Sequence, residues 1–475
     1  MPDSSQPTAS QPLDLNTPRR IHIVGVGGSG MSAIAEILVG TGHQVSGSDL
    51  VASAPLERLK AAGNTTYVGH DAAHLGDAEV VAISTAIPAT NPEVVAAKAS
   101  GIPVLSRAEV LTAITRSWTT LSVAGTHGKT TTSAMLTVAL RGAGLDPAFI
   151  VGGDLRDLGT GAQVGGGELL VVEADESDGT FVELESTGVI VTNVEPDHLE
   201  HYGTFENLEA TFRRFVAQPS GPKVICIDDP GAARLAATLP LTELTSYGTK
   251  PGANWRIVDP LPTPVGISFA LEHRDHPTVR VSLRQPGMHN ARNATAAIAM
   301  AVAMGASVEA AAAALNEFGG VGRRFEVRGE VAGITLVDDY AHLPTEVGSA
   351  LAAAKSLKPN RLVAVFQPHR YSRTEQLWST FRDAFVDADL LIVTGIYAAG
   401  EKPRPGVSGE LIANDVAAAN ADIDIRYIDS LADVVSFLAD ELTTGDLCMT
   451  LGAGDLTRIP DDVVRRLETR FADRD

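Results

Sequence analysis

Residues 119–132 read Thr-Thr-Leu-Ser-Val-Ala-Gly-Thr-His-Gly-Lys-Thr-Thr-Thr, and the rest of the chain is organised around them. An apolar, β-favouring run ends at Gly125 and Gly128, and Lys129 and Thr130 then open a helix-like segment. Glycines let backbone N–H groups surround an anion, and the N-terminus of the helix adds partial positive charge. The order of strand, glycines, Lys-Thr and helix therefore predicts a phosphate-binding loop.

The side chains of this loop favour a nucleotide with a metal ion. Lys129 can reach terminal phosphates, and the hydroxyl of Thr130 can hold Mg²⁺. The usual spacing would put a glycine at position 123, where this chain has Val123, so the loop is a shorter variant. Without a ligand, the same residues would form only a glycine-rich turn with a surface lysine.

Composition limits the class of protein. A chain of 475 residues with 44% apolar residues suggests about three domains, each with its own core. A net charge of −21 argues against non-specific binding of nucleic acid or of an anionic membrane surface. Cys226 and Cys448 lie in separate apolar runs, which is typical of buried thiols in a reducing cytosol. Residues 1–18 are polar and resemble no signal peptide, and the longest apolar run, 296–304, is too short to span a membrane. We therefore expect a cytoplasmic protein with a disordered tail at 1–18.

The first domain is predicted to cover residues 19–118 and to be Rossmann-like. A strand from residue 20 runs into Gly25, Gly27 and Gly30, which matches a dinucleotide-binding fingerprint. A second strand ends at Asp49, close to where a ribose-binding acid would lie. A nicotinamide cofactor and a nucleotide sugar would fit this pattern equally, and a glycine-rich turn without a ligand is the remaining alternative.

The central domain, 119–321, carries acidic and histidine side chains after two apolar strands. Glu173 ends the first of these strands, and Asn193, Asp197 and His198 follow the second. Carboxyl ends of neighbouring parallel strands share one crevice, so we expect Lys129, Glu173 and His198 to converge. A carboxylate and a neutral imidazole can hold Mg²⁺ beside phosphate oxygens. In isolation, His198 could instead cap a turn and Glu173 could be a solvated charge.

A long Ala-rich helix opens near residue 287, and Asn290 and Asn293 lie three residues apart on one of its faces. Amide groups in this arrangement can pair with the edge of an adenine, although helix capping explains Asn290 equally well. The helix is predicted to belong to the central domain.

The C-terminal domain, 322–475, follows a glycine-containing linker, and Arg323 and Arg324 lie at the junction. Its strands again alternate with helices and end in polar residues, which predicts a second Rossmann-like sheet. Arg370 and Arg373, with His369 and Tyr371 beside them, could clamp a carboxylate or a phosphate, or form a solvated basic turn. Three such sites suggest a reaction that joins two substrates with the use of ATP.

The motifs occur together in a known order. The sequence resembles the Mur ligase family in Gly-Val-Gly-Gly-Ser-Gly-Met-Ser (25–32), Ala-Gly-Thr-His-Gly-Lys-Thr-Thr-Thr (124–132), Glu-Ala-Asp-Glu-Ser-Asp (173–178), Asn-Val-Glu-Pro-Asp-His (193–198), Gly-Met-His-Asn-Ala-Arg-Asn (287–293), Asp-Asp-Tyr-Ala-His (338–342) and Gln-Pro-His-Arg-Tyr-Ser-Arg-Thr (367–374). The resemblance runs from residue 20 to the last strand. It implies three α/β domains and a central domain with a mainly parallel sheet that binds ATP.

The resemblance also implies a reaction and the residues that carry it. ATP would activate the lactyl carboxylate of UDP-N-acetylmuramate as an acyl phosphate, which the amino group of L-alanine would attack. The catalytic residues would be Lys129, Glu173, His198, His342 and Arg370, with Mg²⁺ at Thr130, Glu173 and His198. ATP would contact Gly125, Thr126, His127, Gly128, Lys129, Thr130, Thr131, Asn290, Asn293 and Arg324. The two other substrates would contact Gly25, Gly27, Gly28, Ser29, Gly30, Met31, Ser32, Asp49, His369, Arg370, Tyr371 and Arg373.

Two departures from the family pattern matter. No lysine lies between His198 and Lys223, whereas relatives that add later peptide residues carry a carbamylated lysine there. Its absence favours the L-alanine-adding branch and leaves open how a second Mg²⁺ is held. Leu343 stands where many relatives have a second histidine, so His342 is the candidate for proton transfer in that motif.

Three competing interpretations stay open at this point. The nearest is a recycling ligase that joins a whole tripeptide to the same nucleotide sugar, although residues 367–374 resemble the L-alanine branch. The others are a nicotinamide oxidoreductase and a non-catalytic nucleotide-binding regulator. The protein is expected to be a monomer or a homo-oligomer.

Overall fold

The computed structural model describes residues 13–263 and 265–472, and within them the strands form three sheets with helices packed on them. This confirms the predicted α/β class. The first sheet has the strand order β3-β2-β1-β4-β5 and is parallel throughout. Its strands are β1 Arg20–Val24, β2 Gln44–Asp49, β3 Thr65–Val68, β4 Val80–Ile83 and β5 Val104–Ser106, and its helices are α1 Ser29–Gly40, α2 Ala54–Ala61, α3 Pro92–Ala99 and α4 Arg107–Arg116, with a 3₁₀ helix at Ala72–Leu75.

The central sheet has ten strands among the described residues, in the order β15-β14-β13-β12-β11-β10-β6-β9-β7-β8. The seven consecutive strands β13, β12, β11, β10, β6, β9 and β7 pair in parallel. Antiparallel strands extend both edges, β14 and β15 beside β13 and β8 beside β7. The strands are β6 Thr119–Ala124, β7 Ala148–Leu155, β8 Thr160–Gln163, β9 Leu169–Glu173, β10 Gly188–Val191, β11 Lys223–Cys226, β12 Leu244–Gly248, β13 Trp255–Thr263, β14 Gly266–His273 and β15 His276–Leu283. The helices are α5 Lys129–Gly142, α6 Leu199–Tyr202, α7 Phe205–Ala217, α8 Pro230–Ala236, α9 Met288–Ala303 and α10 Val308–Asn316, with a 3₁₀ helix at Thr180–Glu183.

The position of β6 explains why the motifs meet. It lies between β9 and β10, and Val123 pairs with Glu173 while Ala124 pairs with Val191. The phosphate loop after β6, Glu173 at the end of β9 and the residues after β10 therefore emerge at one edge of the sheet, as the strand-end argument predicts.

The third sheet has the order β16-β17-β21-β18-β19-β20, and only its first pair is antiparallel among the described strands. The strands are β16 Glu326–Val331, β17 Ile334–Asp339, β18 Arg361–Phe366, β19 Leu390–Val393, β20 Asp424–Tyr427 and β21 Asp446–Leu451. The helices are α11 Pro344–Ser356, α12 Tyr371–Leu377, α13 Glu410–Ala419, α14 Leu431–Glu441 and α15 Ile459–Ala472, with 3₁₀ helices at Trp378–Phe381 and Asp455–Arg458. We keep the predicted domain boundaries at 118/119 and 321/322 as a proposal.

Apolar burial joins the first two sheets. One contiguous cluster contains Ile34 and Leu38 of α1 together with Ile150 and Ala162 of the central sheet. Across the same contact, the hydroxyl of Thr160 donates to Glu36 at 2.7 Å. The C-terminal sheet has its own clusters, one on each face. The first domain is thus fixed to the central one by continuous packing.

The predicted N-terminal tail, residues 1–18, is described only in part. Residues 1–12 lie outside the described residues, whereas Leu13 and Leu15 pack against the apolar cluster that contains the core of the first domain.

Cys226 and Cys448 are free and buried, as predicted, and burial raises the pKa of the Cys448 thiol to about 12. From 13 to 263 and from 265 to 472, no helix has the length and apolar character needed to cross a membrane.

A buried carboxylate stabilises the first domain. The side chain of Glu93 is fully buried, and its oxygens lie 2.6 Å from the hydroxyl of Ser48 and 2.9 and 3.1 Å from the Nδ1 atoms of His74 and His70. His22 Nε2 lies 3.7 Å away. Burial alone would raise the pKa of Glu93, but the interactions with His22, Ser48 and His74 lower it to about 2. The folded state therefore favours the ionised carboxylate.

We expect Glu93→Gln to lower the free energy of unfolding at pH 7 by about 3 kcal/mol, because it breaks a buried charged network. Since the pKa of Glu93 is lower in the folded protein, its contribution is complete above about pH 4.5 and is lost as the pH falls toward 2. Urea unfolding at several pH values measures both effects. Glu57→Gln, at an exposed position of α2, is the control. Equal stabilities of wild type and Glu93→Gln at pH 7 would contradict this role.

Candidate active site

The phosphate loop has the geometry of an anion cradle. Gly125 and Gly128 have backbone φ angles of 135° and 79°, which residues other than glycine rarely adopt. A Cβ atom at Gly125 would lie 2.1 Å from the hydroxyl oxygen of Thr192, and one at Gly128 would lie 2.8 Å from Oδ1 of Asn293. Both glycines are therefore required by the backbone and by their neighbours. The loop leads directly into α5, whose first N–H groups point toward the cradle.

Residues after β10 fix this loop. The backbone N–H of His127 donates to Oδ1 of Asn193 at 2.7 Å, and Nδ2 of Asn193 donates to the carbonyl of His127 at 3.1 Å. The hydroxyl of Thr192 donates to the same carbonyl at 2.6 Å. Asn193 thus positions the loop.

Lys129 folds back over the loop. Its Nζ donates to the carbonyl of Gly125 at 2.7 Å and to Oε1 of Glu176 at 2.9 Å. Burial alone would lower the pKa of Lys129, but neighbouring carboxylates, Glu176 foremost, raise it. The ammonium therefore stays charged at the cradle, where phosphate oxygens would compete with the carbonyl oxygens for it.

Two of the three predicted Mg²⁺ ligands are in direct contact. The hydroxyl of Thr130 donates to Oε1 of Glu173 at 3.0 Å, and the N–H of Gly152 donates to Oε2 at 2.7 Å. Nε2 of the third, His198, lies 3.3 Å from Oδ2 of Asp197. The described residues hold no cluster of three or more His, Cys, Asp or Glu side chains arranged for a metal. The donors fit Mg²⁺, which binds through one or two carboxylates and takes its other ligands from phosphates and water.

A cavity of about 300 Å³ lies between the central and C-terminal domains, directly beside the phosphate loop. It brings together six of the predicted ATP contacts, namely His127, Gly128, Thr131, Asn290, Asn293 and Arg324. Nδ2 of Asn290 already donates to the carbonyl of Pro286 at 2.8 Å. The shape and the polar lining of the cavity suit a nucleotide.

The sequence alone did not indicate several residues of this cavity. Asp228, which accepts a hydrogen bond from Nε of Arg292 at 2.8 Å, follows β11 in the way that Asn193 follows β10. The strand-end rule could therefore have found it. His289 and Asp339 also line the cavity. Burial, with Arg292 and Arg324 nearby, lowers the pKa of His289 to about 4, so its imidazole is neutral at pH 7. Burial raises the pKa of Asp339 to about 6, so its carboxylate remains mostly ionised at pH 7.

A smaller cavity, of about 150 Å³, lies between the first and central domains. Gly30 and Arg107 line it from one side, and Glu173 and Asp175 from the other. The predicted nucleotide-sugar loop thus faces the predicted Mg²⁺ site. Arg107, at the start of α4, is a cation that the sequence did not single out.

The other predicted substrate contacts of the first domain differ in burial and in their hydrogen-bond partners. The N–H of Gly27 donates to Oδ2 of Asp49 at 2.9 Å, which brings these two predicted contacts together. Met31 is 2% exposed, and its side chain packs in the core. Its backbone N–H donates to the carbonyl of Gly28. Ser32 is also buried, and the side chain of Ser29 lies outside the described residues.

The C-terminal domain adds an imidazole and guanidinium cluster. The rings of His342 and His369 are 5.8 Å apart, and NH1 of Arg373 lies 3.5 Å from Nδ1 of His369. NH2 of Arg373 reaches across to Asp197 at 3.7 Å, beside His198. Burial lowers the pKa of His342, and burial with the neighbouring cations lowers that of His369 to about 4.

Other predicted C-terminal residues lie around this cluster. Arg370 is exposed, has a φ of 67° and precedes α12, which Tyr371 begins. Arg324 lies over the ring of Tyr340 at 5.0 Å, and Arg323 is held by the carbonyl of Gly452 at 2.7 Å. Arg324 also lines the nucleotide cavity. Arg323 instead donates to a backbone carbonyl inside the C-terminal domain.

A phosphate loop between two further α/β domains, each presenting a polar site toward it, defines a nucleotide-dependent ligase that joins two substrates. The chain belongs to the Mur ligase family. It matches the family's descriptions "Mur ligase family, catalytic domain" over 20–119, "Mur ligase middle domain" over 123–301 and "Mur ligase, glutamate ligase domain" over 323–454. The resemblance seen in the motifs is thereby confirmed.

Similar proteins extend over nearly the whole chain. The UDP-N-acetylmuramate–L-alanine ligase of Pelotomaculum thermopropionicum is 43% identical over 452 residues, which is 95% of this chain and 98% of the relative. That of a Bradyrhizobium species is 44% identical over 446 residues, 92% of this chain and 95% of the relative. Among solved structures, the UDP-N-acetylmuramate–alanine ligase of Thermotoga maritima is 27% identical with a TM-score of 0.79 and covers 95% of this chain and 100% of its own. A murein peptide ligase of Psychrobacter arcticus is 25% identical with a TM-score of 0.68, covering 94% and 98%.

Proposed function

We propose that the protein joins L-alanine to UDP-N-acetylmuramate with ATP and Mg²⁺, in the cytoplasm, as a step in peptidoglycan precursor synthesis. The observation that carries the proposal is the direct contact of Thr130 with Glu173 beside the glycine cradle. Glu173 lines the smaller cavity, and Gly128 and Thr131 of the same loop line the larger one. Such a centre can receive a nucleotide from one side and a carboxylate substrate from the other. The two free, buried thiols suit a reducing compartment.

The binding roles follow from position. The nucleotide sugar lies over the loop at 25–30 and Asp49, with Arg107 beside its reacting end. The ATP phosphates lie on residues 125–131, and its base lies toward Asn290 and Asn293. Thr130 and Glu173 hold Mg²⁺, which neutralises phosphate charge when bound, and His198 as a third ligand is part of the proposal.

The first step, transfer of the phosphoryl group, requires stabilisation of negative charge. Lys129 neutralises charge on the phosphoryl group as the lactyl carboxylate attacks it, which yields an acyl phosphate and ADP. The amino group of L-alanine then attacks the acyl carbon and phosphate leaves. His342 and His369 are uncharged at neutral pH because their pKa values are lowered, so each offers a ring nitrogen that can accept a hydrogen bond or a proton from the amine. The docked C-terminal domain excludes water from the acyl phosphate.

We expect phosphate release with UDP-N-acetylmuramate, ATP and L-alanine, and at least about 100-fold lower kcat/KM when the tripeptide replaces L-alanine. The physical reason is that a site built for a small amino acid has no room for a longer acceptor. Phosphate release measured with each acceptor tests this, with a reaction lacking the nucleotide sugar as control. Turnover with the tripeptide alone would identify the recycling ligase instead. NADH binding without any response to ATP would favour the oxidoreductase interpretation.

A further inference from the structure

The imidazole of His127, in the phosphate loop, faces a carboxylate at each ring nitrogen. Nδ1 lies 3.2 Å from Oε1 of Glu346, and Nε2 lies 3.4 Å from Oε2 of Glu195. The Nδ1 contact is a hydrogen bond and the Nε2 contact lies at an ion-pair distance. A neutral ring would direct an unprotonated nitrogen at one of the two carboxylates, whereas the imidazolium presents an N–H to each. The geometry therefore indicates a positive charge on the phosphate loop in addition to that of Lys129.

The two carboxylates come from different domains. Glu195 follows β10 of the central sheet, whereas Glu346 lies in the first turn of α11 in the C-terminal domain. The side chains of His127 and Glu346 are only 14% and 12% exposed, so water screens their attraction weakly. The contact is therefore an interdomain ion pair at the edge of the nucleotide cavity, which both residues line.

Other contacts hold these carboxylates in place. Oε2 of Glu346 accepts hydrogen bonds from the backbone N–H groups of His342 and Leu343, at 2.9 and 3.2 Å. Oε2 of Glu195 accepts one from the hydroxyl of Thr345 at 2.8 Å. The first turn of α11 thus contacts Glu195 as well as His127. Docking of this turn fixes both partners of the imidazole at once.

The protonation energetics agree with the geometry. Burial alone would lower the pKa of His127, but Glu195 and Glu346 raise it to about 9. The pKa of Glu346 is far below its ordinary value despite burial, mainly because of His342 and His127. The other charged groups facing this cluster are Lys129 in the same loop, Arg324 and Asp339 at the cavity, and the Arg373–Asp197 pair.

We propose that Glu346 and Glu195 are positioning residues that hold His127 as an imidazolium beside the phosphates of the nucleotide, and that this charge is secured only when the C-terminal domain is docked. The inference rests on the proposed function only in that nucleotide phosphates occupy residues 125–131. Domain docking and phosphate binding then support each other, because each strengthens the other's ion pairs. Since the pKa of His127 is raised, its contribution to docking is complete below about pH 6.5 and is lost as the pH rises through about 9.

The test uses Glu346→Gln in the full-length protein. Glutamine keeps the shape and an acceptor oxygen for the first turn of α11 but removes the charge. The titration of His127 is followed by NMR with labelled histidine, the His127→Asn protein identifying its signal, and the affinity for a non-hydrolysable ATP analogue is measured at pH 6 and pH 8.5. We expect the midpoint of His127 to fall by about one pH unit or more and the affinity to fall at least about threefold more at pH 8.5 than at pH 6, because at pH 6 the ring stays protonated without Glu346. Glu309→Gln, an exposed glutamate in the first turn of α10, is the matched control.

Two further variants keep the test decisive. Glu195→Gln, in the central domain, should lower the same midpoint, and this holds even if Glu346→Gln does not fold. In the His127→Asn background, Glu346→Gln should cause no further loss of affinity, because the residue acts through His127. A wild-type midpoint near 6.5, an unchanged midpoint in both glutamine variants, or an equal affinity loss at both pH values would overturn the inference. None of these measurements needs turnover, so a failed ligation assay would count against the proposed function alone.

Discussion

Lys129→Met is expected to lower kcat/KM for ligation at least about 1,000-fold, because it removes the cation that neutralises the transferring phosphoryl group. It should also lower the free energy of unfolding by about 3 kcal/mol, since it leaves the buried carboxylate of Glu176 without its cationic partner. Glu176 is 1% exposed and bonded to Lys129 at 2.9 Å. Phosphate release and urea unfolding measure the two effects.

The double variant Lys129→Met with Glu176→Gln separates catalysis from stability. It removes both charges, so most of the lost stability should return while ligation stays absent. Lys98→Met, at an exposed position of α3, is the control for loss of a lysine. Ligation at more than a tenth of the wild-type rate in Lys129→Met would refute the assignment of Lys129.

Glu173→Gln is expected to lower kcat at least about 100-fold and to raise the Mg²⁺ concentration needed for half-maximal rate. The carboxylate oxygens of Glu173 accept from the hydroxyl of Thr130 and from the N–H of Gly152. The amide nitrogen of glutamine cannot accept one of these bonds, and the charge that attracts Mg²⁺ is lost. Initial rates across a Mg²⁺ series measure the effect.

Thr130→Ser is the control for Glu173→Gln, because it keeps the hydroxyl and should stay within about tenfold of wild type. An unchanged Mg²⁺ requirement in Glu173→Gln, together with a lowered rate, would mean that Glu173 orients Thr130 without binding the metal. A wild-type rate would remove Glu173 from the site altogether.

Much of the fold could be predicted because the signals are local. The glycines after β6 and the helix pattern that follows predict the phosphate loop, and the helix expected to open at Lys129 and Thr130 is observed as Lys129–Gly142. The rule that parallel strands share one edge correctly brought Glu173 next to the loop. Asp228 obeys the same rule, two residues after the end of β11.

The parts that could not be predicted depend on contacts between domains. Glu195 and Glu346 look like ordinary surface charges in the sequence, and only the docking of α11 brings them to His127. The burial of Met31 has a different origin. This residue lies in a glycine-rich motif but also on the apolar face of α1, and core packing decides the position of its side chain. Leu343 is 5% exposed, so this substitution for histidine is accommodated by burial.

The apolar cluster that runs without a break from α1 into the central sheet determines which part of the molecule can move. Separating those two domains would expose a large hydrophobic surface to water, whereas the ion pairs of the C-terminal domain can exchange for hydration at a much smaller cost. Opening and closing should therefore take place between the central and C-terminal domains, and the first and central domains should stay together. The nucleotide sugar would bind between the first and central domains, which move together as one rigid body. ATP and the amino acid would enter when the C-terminal domain moves away from the central domain.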